Sequence, residues 1–393
     1  MKLTFKLFSF AFFLLSLQQS VAQNSVSFDE SNYESIIKRS KAEKKPVFLM
    51  IYATWCPHCN KMKKEVFTDK GVIDFLNSNF ILAQQDGDSE AGKILKAKFK
   101  VKSLPTFIFL DQNETELYKL SGEYTPEALI SESKNALNPL MQFPYLEKQF
   151  YSDYKNYDKC MAYLMALRKG NDRKILSVPA HKYLATLPEK DLATNQNWMI
   201  ISNGVTDIKS KEFQYVLSHK KDFEAVVGEN RVKRKMVNIV TELLKPLVES
   251  LDTVNYFKQR PIATSIAIRE TDELIFTYDL TINELSENWK KYDEAALNGV
   301  EKFAWEDASL LKQIAFNYEK NIANKTSLQT AIKWTQRSSE LNESYDGLLL
   351  ISKLYNKISD KKQAVSYAKK AKEFATKLGF DTKESEALLK QLK

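Results

Sequence analysis

The spacing of apolar residues divides the chain into two regions with different periodicities. Before residue 138, short apolar runs that suit buried strands alternate with amphipathic stretches that suit helices, and this alternation is typical of an α/β fold. Asn138-Pro139 ends the last of these helices, so we expect a domain boundary there. The predicted helices cover residues 32–44, 60–67, 70–78, 91–99 and 125–137, and the predicted strands cover residues 47–52, 80–85, 106–110 and 116–120.

After residue 143 the apolar positions recur at helical spacing over long stretches. From Ile262 to the last residue there is no proline, and three glycines, at positions 299, 347 and 379, interrupt this part of the chain. Such a pattern is typical of helices separated by short turns. We therefore predict that an all-α region follows the α/β region, with residues 139–296 forming a helical domain of unknown type.

The C-terminal part of the helical region contains an internal repeat. Ala331-Ile332-Lys333-Trp334 aligns with Ala364-Val365-Ser366-Tyr367, 33 residues further along. The spacing of Tyr355, Ala364, Ala368 and Ala371 resembles the tetratricopeptide repeat, which has a period of about 34 residues. The resemblance implies TPR-like repeats in residues 297–393, with an ordinary helical bundle as the alternative.

The N-terminus has the pattern of a signal peptide over residues 1–22. Lys2 and Lys6 precede the apolar run 7–17, and Ser20-Val21-Ala22 offers a small-residue cleavage site. This run is shorter than the ~20 residues that span a bilayer, and no other segment approaches that length without charges. We expect cleavage near Ala22 and a periplasmic or secreted protein, with a retained N-terminal anchor as the alternative.

Charge and cysteine content exclude some classes of function. Residues 23–137 carry 16 Lys+Arg and 16 Asp+Glu, and the rest of the mature chain carries 40 and 34, so its positive excess is small. No basic cluster is interleaved with aromatic residues, and we therefore expect no nucleic-acid partner. With three cysteines in 393 residues, the protein does not depend on disulfides for stability.

The stretch Trp55-Cys56-Pro57-His58-Cys59 follows a predicted strand and leads into a predicted helix. A cysteine in the first turn of a helix lies near unpaired N–H groups and the positive end of the dipole, and both favour the thiolate. We expect Cys56, at an exposed turn, to attack disulfides, and the more buried Cys59 to resolve the mixed disulfide. Pro57 suits the first helical position, and a protonated His58 would stabilise the thiolate, so both are expected to tune its ionisation.

A second motif, Leu104-Pro105-Thr106, opens another apolar run that is predicted to be a buried strand. Trp-Cys-x-x-Cys followed 46 residues later by Leu-Pro-Thr resembles thioredoxin-like proteins. The resemblance implies a thioredoxin fold in residues 23–138 and a cis peptide bond before Pro105. It also implies substrate binding at Trp55, Leu104 and Pro105. An ordinary trans turn proline is the alternative.

The residues around the dithiol motif resemble particular groups of thioredoxin-like proteins. Lys45-Pro46-Val47-Phe48-Leu49 and Tyr52-Ala53-Thr54-Trp55-Cys56 are similar to the C-terminal thioredoxin domain of DsbD-type reductants, whereas Pro57-His58 resembles DsbA-type oxidants. Thioredoxins carry a buried aspartate six residues before the first cysteine, and this chain has Met50 there. Proton transfer at Cys59 must therefore use water or another group, and the direction of the reaction stays open.

The cysteines allow other interpretations. A CxxC pair is also half of a zinc site, but the remaining Cys and His residues outside the motif, Cys160, His181 and His219, are scattered singly. We therefore expect no metal and no cofactor beyond the redox-active Cys56–Cys59 disulfide. Cys160 lies in a run typical of a buried helix, so a packed structural thiol is favoured over a third redox cysteine.

Together these patterns predict an exported thiol-disulfide oxidoreductase that exchanges disulfides with secreted or periplasmic proteins through Cys56 and Cys59. The larger number of DsbD-like residues slightly favours the reductive direction. Its expected partners are cysteine-containing secreted substrates and a redox partner protein. The alternative is a helical adaptor or chaperone-like protein in which the thioredoxin unit docks extended peptides beside Leu104-Pro105.

Overall fold

The computed structural model describes residues 25–393, so the signal peptide predicted for residues 1–22 lies outside the described residues. The chain divides into two compact units, with the division between Tyr183 and Leu184. In the described part, no helix is both long and apolar enough to cross a membrane.

A four-stranded sheet lies at the centre of the first unit. Its strands are β1 (Val47–Tyr52), β2 (Ile81–Asp86), β3 (Thr106–Leu110) and β4 (Glu116–Ser121). The strand order is β2-β1-β3-β4, in which β1 runs parallel to β2 and antiparallel to β3, and β4 pairs antiparallel with β3.

The helices of the first unit begin where the local sequence supplies a cap. Asn32, Asp69, Ser89 and Thr125 each accept a backbone N–H of the following helix. The helices are α1 (Tyr33–Glu43), α2 (Pro57–Lys61), α3 (Lys70–Asn79), α4 (Glu90–Lys98), α5 (Pro126–Leu137), α6 (Phe143–Ser152), α7 (Tyr157–Lys169) and α8 (Ser177–Leu184), with a π-helical turn at Met62–Val66 and 3-10 turns at Pro139–Met141 and Arg173–Leu176.

Strand β1 is buried on both faces, as expected for a continuous apolar run in a sheet covered by helices. Phe48 and Met50 belong to the apolar cluster on one face, and this cluster also contains Cys59 of α2. Leu49 and Ile51 belong to the cluster on the other face. The alternation of the strand therefore holds the CxxC helix against one face of the sheet.

Helices α6 and α7 belong to the same compact unit as the sheet. Tyr118 of β4 stacks on Phe143 of α6, with ring centroids 5.8 Å apart. Lys169 at the end of α7 lies 2.7 Å from Glu132 of α5. The sequence predicts a separate helical domain after residue 138, whereas this unit continues to Tyr183. A boundary near residue 138 stays a prediction.

The second unit is helical throughout its regular structure. Neighbouring helices pack on one another through apolar side chains, as in the cluster that includes Leu311, Ile314 and Leu328. Its helices are α9 (Asn195–Gly204), α10 (Lys211–Ser218), α11 (Lys220–Val227), α12 (Glu229–Glu249), α13 (Thr253–Thr264), α14 (Arg269–Leu285), α15 (Trp289–Phe303), α16 (Ala308–Asn321), α17 (Lys325–Leu341), α18 (Tyr345–Lys357), α19 (Lys361–Leu378) and α20 (Lys383–Gln391), with a 3-10 turn at Glu189–Asp191.

The residues of the internal repeat lie in the core of the second unit. Trp334 is buried and packs edge-on against Tyr318, with ring centroids 5.1 Å apart. Ala364, Ala368 and Ala371 of α19 are fully buried, which small side chains allow where helices approach closely. The assignment of these helices as TPR-like repeats stays a prediction.

Candidate active site

Cys56 caps the N-terminus of α2. Its Sγ accepts a hydrogen bond from the Cys59 N–H at 3.2 Å, and Pro57 occupies the first helical position, where no N–H is needed. An N-cap acceptor satisfies one of the unpaired donors of the helix start and lies at the positive end of its dipole. Cys56 Sγ therefore takes the place of an N-cap oxygen at the start of α2.

The two cysteines are less accessible than the sequence suggested. The prediction placed Cys56 at an exposed turn, whereas 3% of its surface is exposed, and Cys59 is fully buried. Cys56 belongs to the apolar cluster on the α2 side of the sheet. Trp55 beside it is 68% exposed, and its Nε1 donates to Asp88 Oδ2 at 2.6 Å. Trp55 therefore presents an exposed indole directly before the buried thiol in the chain.

The environment of Cys59 suits a resolving thiol. Burial raises the pKa of Cys59 to about 12, and the hydrogen bond with Cys56 acts in the same direction. Met50, at the position of the thioredoxin aspartate, is fully buried in the same apolar cluster and supplies no carboxylate. Cys59 therefore stays protonated at neutral pH until its proton is accepted by another group.

The peptide bond between Leu104 and Pro105 is cis. The loop that contains it is held by a hydrogen bond from the Gly122 N–H to the Pro105 carbonyl, at 2.9 Å. Among hydrogen bonds between described residues, none engages the N–H or the carbonyl of Leu104. This backbone is therefore available to pair with an extended peptide, as strand addition requires.

Comparison with known proteins agrees with this geometry over the first part of the chain. A family model described as a thioredoxin-like domain matches residues 33–136. Residues 33–136 form a thioredoxin-like domain. The predicted fold class, an α/β thioredoxin fold followed by an all-α helical region, is confirmed.

Similar proteins share parts of this chain. A protein disulfide-isomerase of Datisca glomerata is 23% identical over 302 residues, which are 73% of this chain and 57% of the relative. A thiol:disulfide interchange protein DsbD of Yersinia pestis is 38% identical over 81 residues, 20% of this chain and 13% of the relative. The solution structure of a thioredoxin from Thermus thermophilus is 23% identical, with 28% of this chain and 88% of that chain covered and a TM-score of 0.27. The chain thus spans less than two thirds of both curated relatives.

The thioredoxin-like domain brings His58 to a carboxylate that the sequence analysis did not identify. The imidazole Nδ1 contacts Glu123 Oε1, and Lys61 Nζ lies 2.6 Å from Glu123 Oε2. Lys61, more than His58, holds the pKa of Glu123 below its usual value. Glu123 lies 65 residues from His58 in a loop after β4, and no local pattern in the sequence links the two. The carboxylate therefore orients the side chain that we expected to stabilise the thiolate.

Lys63 is a second charged residue near the dithiol that the sequence analysis missed. It follows Cys59 by four residues, which is the spacing of neighbours on a helix face. Its Nζ lies 3.4 Å from the centroid of the Tyr52 ring. Burial lowers the pKa of Lys63, and the charges of Glu30, Cys59 and Asp86 act in the opposite direction. A cation thus lies close enough to Cys59 to favour the thiolate that resolution requires.

Replacing Lys63 with methionine is expected to slow resolution at Cys59 by about threefold to tenfold, because the Cys59 thiolate loses a nearby cation. Stopped-flow measurement of the decay of a Cys56 mixed disulfide between pH 6 and 9 tests this, with Lys64→Met as the matched control. Lys64 is exposed and follows directly in the chain. Equal decay rates in both variants would mean that Lys63 does not act on the thiol.

Cys160 lies apart from this dithiol, within α7. It is fully buried, and its S–H donates to the Pro179 carbonyl at 3.6 Å. Burial raises the pKa of Cys160 to about 12. These features agree with a packed structural thiol. Across residues 25–393, no group of three His, Cys, Asp or Glu side chains is arranged to hold a metal ion.

Proposed function

We propose that this protein is an exported thiol-disulfide oxidoreductase that reduces disulfides in secreted or periplasmic proteins through Cys56 and Cys59. The observation that carries the proposal is the position of Cys56 Sγ at the N-terminus of α2, where it accepts the Cys59 N–H in a thioredoxin-like domain. The sulfur that attacks the client disulfide thus lies at the start of a helix, within reach of a backbone N–H donor. The high pKa of Cys59 keeps the second thiol protonated until it is needed.

The reaction uses two exchanges. The Cys56 thiolate attacks one sulfur of the client disulfide, which forms a Cys56–client disulfide and releases the other client sulfur as a thiolate that takes up a proton. Cys59 then loses its proton and attacks Cys56 Sγ, and the second client thiol leaves. The client gains two electrons and two protons, and the protein is left with a Cys56–Cys59 disulfide. A redox partner protein must return two electrons for the next cycle.

The reductive direction is supported by the residues that resemble DsbD-type reductants and by the 38% identity to a DsbD relative over 81 residues. The apolar signal sequence over residues 1–22 supports export. Trp55 and the backbone of Leu104 and Pro105 would bind the client segment around its cysteine. The helical second unit would hold or select clients.

The proposal is tested by insulin reduction with dithiothreitol as the electron donor, together with equilibration of the Cys56–Cys59 pair in thiol-disulfide buffers. We expect insulin to be reduced. We also expect the reduction potential of the Cys56–Cys59 pair to lie close to that of thioredoxin, about −270 mV, and not to that of DsbA, about −120 mV. A potential close to that of DsbA would reverse the proposed direction. Failure to reduce insulin or any small disulfide would remove the enzymatic proposal and favour the adaptor alternative.

A further inference from the structure

A cleft of about 550 Å³ lies within the second unit and is lined by three consecutive helices, α13, α14 and α15. Helix α14 contributes residues 272, 275, 276, 279 and 283, which follow one another at helical spacing. The first and last of these lie about 16 Å apart along the helix axis. Helices α13 and α15 form the two sides. Small-molecule sites usually measure about 300–1,000 Å³, so the cleft has a suitable size for such a ligand.

The middle of the cleft contains a guanidinium group that keeps free donors. Asp279 is buried, and its Oδ1 accepts from the Tyr256 hydroxyl at 2.8 Å and from Arg260 Nε at 2.7 Å. Arg260 Nη2 donates to Asp279 Oδ2 at 2.6 Å. Among the described residues, none accepts a hydrogen bond from Arg260 Nη1. Arg260 is partly exposed and lines the cleft, so this nitrogen can donate to a bound anion.

A polar atom one turn further along α14 has no partner within the protein. Asn283 is 2% exposed and also lines the cleft. Its Nδ2 donates to the Asp279 carbonyl at 2.7 Å, whereas its buried Oδ1 accepts no hydrogen bond from any residue that the structure describes. A buried acceptor without a donor is unfavourable, and an N–H group of a bound molecule would satisfy it.

Lys291 supplies a positive charge at the same end of the cleft. The turn 286–288 joins α14 to α15, which places Lys291 near the end of α14 that carries Asn283. Lys291 Nζ lies 3.4 Å from the centroid of the Phe257 ring, so it connects the α15 side of the cleft to the α13 side. Within residues 25–393 no carboxylate forms an ion pair with it. A carboxylate of a ligand would bind this ammonium group more strongly than the aromatic ring does.

The preceding turn of α14 is apolar. Ile275 and Phe276 line the cleft, and Phe303 of α15 packs against Phe276 with ring centroids 5.6 Å apart. Gly299 lets the Phe276 ring lie against α15, because a Cβ atom there would be 2.2 Å from Phe276 Cδ2. Along α14 the cleft therefore presents, in order, an apolar surface, a guanidinium group and an unpaired acceptor.

The charges around the cleft balance. Its charged lining residues are equally divided between the two signs, with Arg260, Lys291 and Lys302 against Asp272, Asp279 and Glu294. A polyanion or a polycation would therefore gain little from the overall field. A ligand with one carboxylate and one uncharged N–H group suits the individual side chains better.

We propose that this cleft binds an N-acylated amino acid with an apolar side chain. The amide N–H donates to Asn283 Oδ1, and the carboxylate accepts from Arg260 Nη1 and Lys291. The apolar side chain packs on Phe276. The three groups share one carbon atom in the ligand, and their sites lie within about two turns of α14. The same chemistry occurs in a free acylated amino acid and at the C-terminus of a polypeptide. The site goes beyond the proposed function, because it requires neither cysteine of the dithiol.

The test measures binding to the full mature chain by saturation-transfer NMR titration, with N-acetyl-L-leucine as the probe. Three analogues each lack one of the recognised groups. N-acetyl-L-leucinamide lacks the carboxylate, N-acetyl-N-methyl-L-leucine lacks the N–H, and N-acetylglycine lacks the apolar side chain. The peptide acetyl-Gly-Ser-Gly-Leu, with a free carboxylate, represents the C-terminus of a polypeptide.

We expect N-acetyl-L-leucine to bind with a Kd of about 1 mM, as its small size allows, and each analogue to bind at least about fivefold more weakly. Tighter binding of the peptide than of N-acetyl-L-leucine would support the site and identify a polypeptide C-terminus as its ligand. Equal affinities would support the site and identify the free acylated amino acid.

Lys291→Gln is expected to weaken binding of N-acetyl-L-leucine about fivefold and to leave binding of the amide unchanged, because only the acid uses this charge. Lys290→Gln is the matched control, since Lys290 is exposed and lies outside the cleft lining. Ala295→Leu places extra apolar volume in the cleft and should abolish binding. Circular dichroism of each variant verifies that the helices are retained.

Several results would overturn the inference: no saturable binding of N-acetyl-L-leucine at millimolar concentrations, equal affinities for the acid and the amide, or an equal loss in Lys290→Gln. Unchanged binding in a folded Ala295→Leu variant would place the ligand elsewhere and would also overturn it. None of these results bears on Cys56 and Cys59, because insulin reduction tests the proposed function separately.

Discussion

Replacing Cys59 with alanine is expected to lower multiple-turnover reduction of insulin by at least about 1,000-fold and to leave Cys56 covalently bound to its client. Cys59 is fully buried beside Cys56 Sγ, so it is placed to release the client by attacking that sulfur. Without it, the mixed disulfide persists. Non-reducing electrophoresis and mass spectrometry of the trapped species would identify the clients.

The matched control for this experiment is Cys160→Ala. Cys160 is buried within α7 and outside the site, so this variant should keep the insulin rate within about twofold of the unmodified protein. In addition, Cys56→Ser/Cys59→Ala should trap no client, because the attacking thiol is absent. Normal turnover in Cys59→Ala, lost only when Cys160 is also replaced, would show that Cys160 resolves the intermediate.

Ending the chain at residue 138 is expected to lower the free energy of unfolding of the first unit by about 2–4 kcal/mol relative to a chain that ends at residue 183. The shorter fragment, 23–138, lacks Phe143, which stacks on Tyr118, and Lys169, which pairs with Glu132. Tyr118, 1% exposed in the structure, would then become accessible to solvent. Urea unfolding followed by fluorescence measures the difference.

Both fragments retain Cys56, Cys59 and Pro105, so both should reduce bis(2-hydroxyethyl) disulfide at similar rates while folded. A Phe143→Ala variant of fragment 23–183 serves as an intermediate, because it removes the ring on Tyr118 and keeps the Lys169 ion pair. Equal stability of fragments 23–138 and 23–183 would show that α6 and α7 contribute nothing to folding and that residue 138 is an adequate boundary.

Much of the thioredoxin-like domain could be predicted from the sequence because its signals are local. The run Val47–Tyr52 predicts a strand without reference to any other segment, and the structure gives the strand the same bounds. Asn32 and Thr125 act as helix caps through hydrogen bonds that span three residues, so the starts of α1 and α5 agree within one residue. The pairing of Cys56 with the start of α2 is equally local.

Other properties of the site depend on contacts between distant segments. The sequence indicated a buried helix around Cys160, but a helical pattern does not say which surface that helix packs against. Only the folded chain places Lys169 against Glu132, 37 residues away, and Asn171 against Ser103, 68 residues away. The same holds for Glu123 and His58, and for the burial of Cys56, which apolar side chains from several segments enclose.

The sequence by itself therefore determined the order of strands and helices and the position of the dithiol at a helix start, because hydrogen bonds between near neighbours set both. The tertiary structure decided which charges surround the dithiol and that the end of α7 contacts the thioredoxin-like domain. The physical reason is that an apolar or charged residue on one segment could contact several residues on distant segments, and the local sequence does not choose among them. The packing of the whole unit selects among them.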